Sequence, residues 1–192
     1  MTLVDIETAD LTWFDLLPAG SSRATRMSML WKDEERGLRS VLVDFPDDWR
    51  RETTGHQPAQ EEMVALSGAM HINGLRAGVG QLLVGVPHAT RADTWNEPTT
   101  RVLVWFSGEG GGWQEGPHDP PFDMQVVDLE PGVVREPREG LNGSIEVHEE
   151  IAGRVFDHDA DLLWVEALRW THLPAGTAAP EVAGRAVVKL WG

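Results

Sequence analysis

The stretch GHQPAQEEMVALSG, residues 55–68, decides how the chain folds. It opens on Gly55 and His56, reaches Glu61 and Glu62, then runs apolar into Gly68. An apolar run this short, closed by glycine, fits a strand better than a helix. The same texture recurs in MSMLWKD, RSVLVDF, AMHIN, GQLLVGVP and RVLVWFSG, each about strand length and bounded by Gly, Pro, Asp or Asn. Long segments of period 3.6 are missing, so helices are expected to be few and short. If Glu61 faces the inside of a sheet, Met63, Ala65 and Ser67 face inward with it, and Glu62 faces out. Strands rolled into a small antiparallel barrel would aim such side chains at an enclosed ligand.

Composition narrows the function. The chain has 192 residues, 41% hydrophobic and 24% charged, ordinary for a globular protein able to bury its own core. Its net charge is −15 and its 16 basic residues are scattered, which argues against nucleic acid and anionic membrane surfaces as partners. Cysteine is absent, which excludes disulfides, thiolate metal sites and a cysteine nucleophile. No basic segment precedes an apolar one at the start, and no apolar run approaches the roughly 18 residues of a membrane span. A cytoplasmic location is the default expectation. Nine tryptophans without a tyrosine suggest large apolar surfaces in a core, an interface or a ligand cavity.

Residues 106–123, rich in Gly and Pro, read as a linker or long loop. They suggest an N-terminal unit over 1–108, a linker over 109–123 and a reduced C-terminal unit over 124–192. Two segments resemble each other in order: VPHATRADTWNEPTTRVLVWFSG (86–108) and LPAGTAAPEVAGRAVVKLWG (173–192). Pro87 matches Pro174, Thr90 matches Thr177, Arg101 matches Arg185 and Gly108 matches Gly192, as a duplicated β-unit would require.

These residues resemble the cupin family. Its first motif has a glycine, a His-x-His pair, three or four residues, a Glu, six residues and a Gly. Gly55, His56, Glu61 and Gly68 match that spacing, with Thr54 where the first His would stand. The second motif, a proline turn ending in His, resembles Gly80 to Ala92, with Pro87 kept and Ala92 in place of the His. Residues 42–91 are similar to ChrR-like, anti-sigma-factor cupins and their relatives. The resemblance implies an all-β fold: a cupin jelly-roll barrel, or double-stranded β-helix, with two conjoined cupin units of which the second is reduced.

The resemblance also implies a site. Cupins hold Fe, Mn, Ni, Cu or Zn with three His and one Glu, for which imidazole and one carboxylate are suited. Here His56 and Glu61 match ligand positions, and His88 or His71 could enter as a third ligand. The metal set to test is His56, Glu61 and His88; the alternative is no metal, with His56 and Glu61 hydrogen-bonded to each other. Arg91, just after the proline turn, would bind a carboxylate, phosphate or enolate and repel a cation. The expected ligand is therefore a small organic molecule, of anionic type, lined by Met63, His71, His88 and Trp105. Of Trp31, Trp49, Trp95 and Trp105, most are expected to pack in the core and one or two to line a pocket for a flat ligand.

Three functions stay open. One is an isomerase, cyclase or dehydratase in which His56 is the base, Glu61 orients it and Arg91 stabilises a developing oxyanion. The second is a metal-dependent dioxygenase or hydrolase with His56 and Glu61 as ligands. The third is a ligand-sensing regulatory cupin. A homodimer through sheet edges or Trp-bearing strands is expected for any of them.

Overall fold

The structure, a computed structural model, describes residues 2–118 and 124–192. Residues 119–123, the end of the expected linker, lie outside the described residues. Strands and turns account for all regular structure among the described residues. Among the described residues no helix is long and apolar enough to cross a membrane.

The chain divides into two compact units, Leu11–Asp128 and a second made of Met1–Asp10 with Leu129–Gly192. This differs from a cut at the Gly/Pro-rich segment. The first ten residues go with the C-terminal unit because Val4–Asp5 pairs with Arg169–Trp170, and Met124–Asp128 goes with the N-terminal one because it pairs along Gln81–Gly85.

In the Leu11–Asp128 unit a seven-stranded antiparallel sheet runs in the order Met124–Asp128, Gln81–Gly85, Gln60–Ser67, Arg101–Ser107, Leu38–Asp44, Thr25–Asp33, Trp13–Leu16. A three-stranded sheet is built from Trp95–Asn96, Ala69–Ile72 and Leu75–Gly78. Asn73 and Gly74, both at positive φ (54° and 78°), make the tight turn that a two-residue hairpin demands. Register aligns the inner face in rows. Glu61 stands opposite Gly85 and Phe106, and Phe106 opposite Arg39. Met63 stands opposite Leu83 and Val104, and Val104 opposite Val41. Side chains two apart share a face, so these rows form one wall. Glu62, expected to face out, is on the opposite face and fully buried there.

The C-terminal unit has a six-stranded antiparallel sheet: Val4–Asp5, Arg169–Leu173, Ala160–Trp164, Ala186–Leu190, Ser144–His148, Gly132–Arg135. Strand for strand this repeats the first sheet without Trp13–Leu16. The repeat extends into the loops. His88 N–H donates to Gln57 O as Gly176 N–H does to Phe156 O, and Ala89 N–H donates to Val86 O as Thr177 N–H does to Pro174 O. His88 and Gly176 both adopt positive φ, 63° and 76°. The turns therefore match His88 with Gly176, one position away from the pairing of Pro87 with Pro174. Proline sits second in the first turn, where its fixed φ fits, but first in the other. The strand match of Arg101 with Arg185 agrees with the pairing register: Phe106 opposes Glu61 as Leu190 opposes Ala160.

Candidate functional site

The inner face of the Leu11–Asp128 unit encloses a cavity of about 470 Å³, within the range of small-molecule sites. Its wall is mostly apolar: Met63, Leu83 and Val104 from the large sheet, Met70 and Ile72 from the small one, and Trp49 from the intervening loop. The lip comes from the edge strand and the turn after it, Phe14 and Leu16 to Ala19. Four charged side chains line it: Glu61 and the guanidinium groups of Arg39, Arg51 and Arg91.

Glu61 and Arg91 form the polar centre. Glu61 Oε2 accepts from Arg91 Nη2 at 2.9 Å, from Arg91 Nε at 3.2 Å and from Gln57 Nε2 at 3.4 Å. Arg91 Nη1 donates to Ala89 O at 2.9 Å, so both arms of the guanidinium are tied. Arg91 is 2% exposed and Glu61 20%, the latter opening on the cavity. Glu61 Oε1 has no hydrogen bond among the described residues. Backbone bonds between Gly55 and Arg91, in both directions, bring the proline turn against the start of the first motif. That junction delivers Arg91 to Glu61.

The arrangement differs from the expected one at His56. Gln57 lines the cavity and His56 does not. Gly55–His56 pairs with Gln114–Glu115 in a separate two-stranded sheet, and the bend at 58–59 breaks the count of faces back from Glu61. A motif spacing that tolerates three or four intervening residues carries no sign of such a bend. At Gly55 a Cβ would come within 2.2 Å of Trp113 Cζ2, so the indole occupies the space that a side chain at this inward position would need. His56 turns the other way, into a group with His88 and His118. Ring centroids are 5.4 Å apart for His56–His88 and 4.9 Å for each of the other pairs. His56 Nδ1 and His88 Nδ1 lie 3.3 Å apart, which makes a hydrogen bond when one carries the proton. Burial holds His56 below the ordinary imidazole range, and the charges of His118, His88 and Arg91 push it the same way.

The remaining expected contacts divide. Met63 and Trp49 line the cavity. His71 is directed elsewhere, stacked on Trp95 with centroids 3.8 Å apart and bonded through Nε2 to Glu97 at 3.0 Å. His88 sits in the proline turn, and Trp105 faces away because its neighbours Val104 and Phe106 face in. The structure does not bring His71, His88 or Trp105 to the cavity. Sequence reading missed Arg39, Arg51, Gln57, Thr94 and Trp113, all of which line it. Burial pushes the Arg51 guanidinium down to about 10; Glu61 opposes that fall and Arg91 adds to it.

No family model and no curated protein sequence matches the chain. Solved structures do. A "putative dioxygenase" from Nostoc punctiforme superposes with a TM-score of 0.72 at 10% identity, over 98% of this chain and 81% of its own. A "putative glyoxylate induced protein" from Pseudomonas aeruginosa gives 0.58 at 12% identity, over 93% and 83%. YlbA from E. coli gives 0.53 at 10% identity, over 98% and 82%. The fold is a cupin fold. Identities this low establish architecture and not reaction.

Cupin folds commonly carry a divalent metal, and the cavity's donors do not fit one. Its inward motif positions hold Gly55 and Gln57, its carboxylate is bound to Arg91, and three guanidinium groups would repel a cation. Among the described residues no group of three or more His, Cys, Asp or Glu is disposed to hold a metal ion. The expected set of His56, Glu61 and His88 is split, with the two histidines off the cavity and Glu61 on it.

Proposed function

We propose that the Leu11–Asp128 unit binds a small organic molecule inside its cupin barrel and moves a proton on it, with Glu61 as the base. The base assigned from sequence, His56, does not reach the cavity, so the role passes to the carboxylate that does. One observation carries the reading: Glu61 lines the cavity with its Oε2 held by two N–H donors of Arg91. A carboxylate anchored through one oxygen presents the other in a fixed direction, which is what a general base needs.

The step is an isomerisation of a carbon acid. Glu61 Oε1 takes a proton from a carbon next to a carbonyl, the C–H electron pair becomes the enolate π-bond, and the carbonyl oxygen gains the charge. The positive lining of the cavity, three guanidinium groups against one carboxylate, stabilises that oxygen. Glu61 then returns the proton to the same or a conjugated carbon, and nothing else is consumed.

Exchange of solvent deuterium into carbonyl compounds, followed by NMR, tests this. Wild-type protein is expected to label the α-carbon of at least one member of a panel of oxo-acids, and Glu61→Gln to lose roughly a hundredfold or more of that rate. Unchanged labelling in Glu61→Gln would remove Glu61 as base. Saturable binding without labelling would instead favour the ligand-sensing reading.

A further inference from the structure

Arg51 differs from the other two cations of this cavity in that two of its guanidinium nitrogens have no hydrogen-bond acceptor among the described residues. Arg91 is neutralised by Glu61, and Arg39 donates to Gly108 O at 3.1 Å while its guanidinium lies over the Phe106 ring. Arg51 lies over the Trp113 indole, 4.1 Å from the ring centroid, and its Nε and Nη1 are buried with no hydrogen-bond acceptor among the described residues. An aromatic face offsets part of a buried cation's lost hydration but supplies no hydrogen-bond acceptor.

Two more polar atoms beside it share this condition. Thr94 Oγ1 and Trp113 Nε1 are buried with no partner among the described residues, and both residues line the cavity. Arg51 N–H donates to Thr94 O at 2.9 Å, so the backbone holds these groups together. The same part of the lining thus holds a guanidinium, a hydroxyl and an indole N–H. With three guanidinium groups against one carboxylate, the lining is positive inside a chain of net charge −15. The walls beyond are Met63, Met70, Ile72, Leu83 and Val104.

Resting on the reading of the barrel as a small-molecule site, we infer that its ligand is an organic acid with an apolar body, whose anionic head is bound by Arg51 with Thr94 and Trp113. The planar fork of Arg51 suits a carboxylate, which it would bind through two N–H donors. The apolar body lies along the methionine- and leucine-lined wall, which brings a carbon of the acid toward Glu61.

Calorimetric titration with octanoate and 4-phenylbutyrate, each against the alcohol of the same chain length, tests the inference. Wild-type protein is expected to bind the acids roughly tenfold to a hundredfold more tightly than the alcohols. Arg51→Met is expected to erase that preference while still binding the alcohols, and Arg51→Lys to keep part of it. Equal affinity for acid and alcohol, or a preference that survives Arg51→Met, overturns the assignment of Arg51 and leaves the small-molecule reading standing. Acid binding without deuterium exchange overturns only the proton-transfer reading. Failure of every probe to bind overturns both.

Discussion

The two units carry one strand order and opposite interiors. Row for row, Glu61, Phe106 and Arg39 of the first sheet correspond to Ala160, Leu190 and Ser144 of the second. The loop bonds add Gln57 against Phe156 and Arg91 against Ala179. Where the first unit places polar and charged groups around a hollow, the second places Phe156, Ala160, Leu162 and Ala179 in a packed apolar cluster with Trp164 and Val188. One backbone plan therefore accommodates two different inward linings. A carboxylate and a guanidinium at facing inward positions keep an interior polar, because burying either alone costs several kcal/mol.

The largest effect should come from breaking that pair. Glu61→Ala installs the residue that the second unit has at this position, but leaves Arg91 buried at 2% exposure without its counter-charge. A loss of about 2–3 kcal/mol is expected, short of the figure for fully buried pairs because Glu61 opens on the cavity. Adding Arg91→Leu should recover most of it. Denaturant unfolding of both variants reads the difference, and a neutral Glu61→Ala would show that the pair does not organise the barrel.

A smaller contrast compares equivalent apolar positions. Met63 and Leu162 occupy the same place in their sheets, opposite Val104 and Val188. Leu162 is sealed inside a packed cluster, so Leu162→Ala should cost about 2–5 kcal/mol. Met63 is also buried in a core cluster but borders the hollow, so Met63→Ala should fall at the low end of that range, about 2 kcal/mol. Equal losses in denaturant unfolding would mean that the hollow is closed in solution.

Period-two alternation made Glu61 and Met63 legible as inward residues before any coordinates. That alternation stops at Gln60, and the bend at 58–59 that turns His56 away from the cavity left no trace in it. Motif spacing favoured the histidine because it counts residues without regard to face. The duplicated strands were legible from Arg101 and Arg185, whereas the turns slipped by one because the proline plays a different part in each. Arg51 and Trp113 were not legible at all. They are 62 positions apart by their numbers, in loops without periodicity, and only the closed barrel lays the guanidinium of one on the ring of the other. The N-terminal residues told nothing of their membership in the second unit, since a two-residue strand such as Val4–Asp5 carries no pattern of its own.

The last contrast concerns acid. His56 is buried, while Val155, its counterpart just before Phe156, is half exposed. In the folded chain His56 titrates below the ordinary imidazole value, held down by burial and by His118, His88 and Arg91. The unfolded chain then takes up a proton first as pH falls, so the folded state loses stability. His56's contribution is complete above about pH 6.5 and declines as pH drops from there toward its lowered folded value. Carboxylates held low, such as Glu97, pushed down to about 2 by the hydrogen bonds of Arg76 and then His71, act only below the ordinary carboxylate range, near pH 4. Unfolding between pH 7.5 and 5 therefore isolates the imidazoles. Stability should slope downward across that window, and His56→Gln should flatten the slope without changing the affinity of the cavity for octanoate. An unaltered slope would show that His56 does not carry the effect. A change in octanoate affinity would mean that the histidine cluster and the cavity are coupled through Arg91, whose charge acts on His56 while its guanidinium holds Glu61.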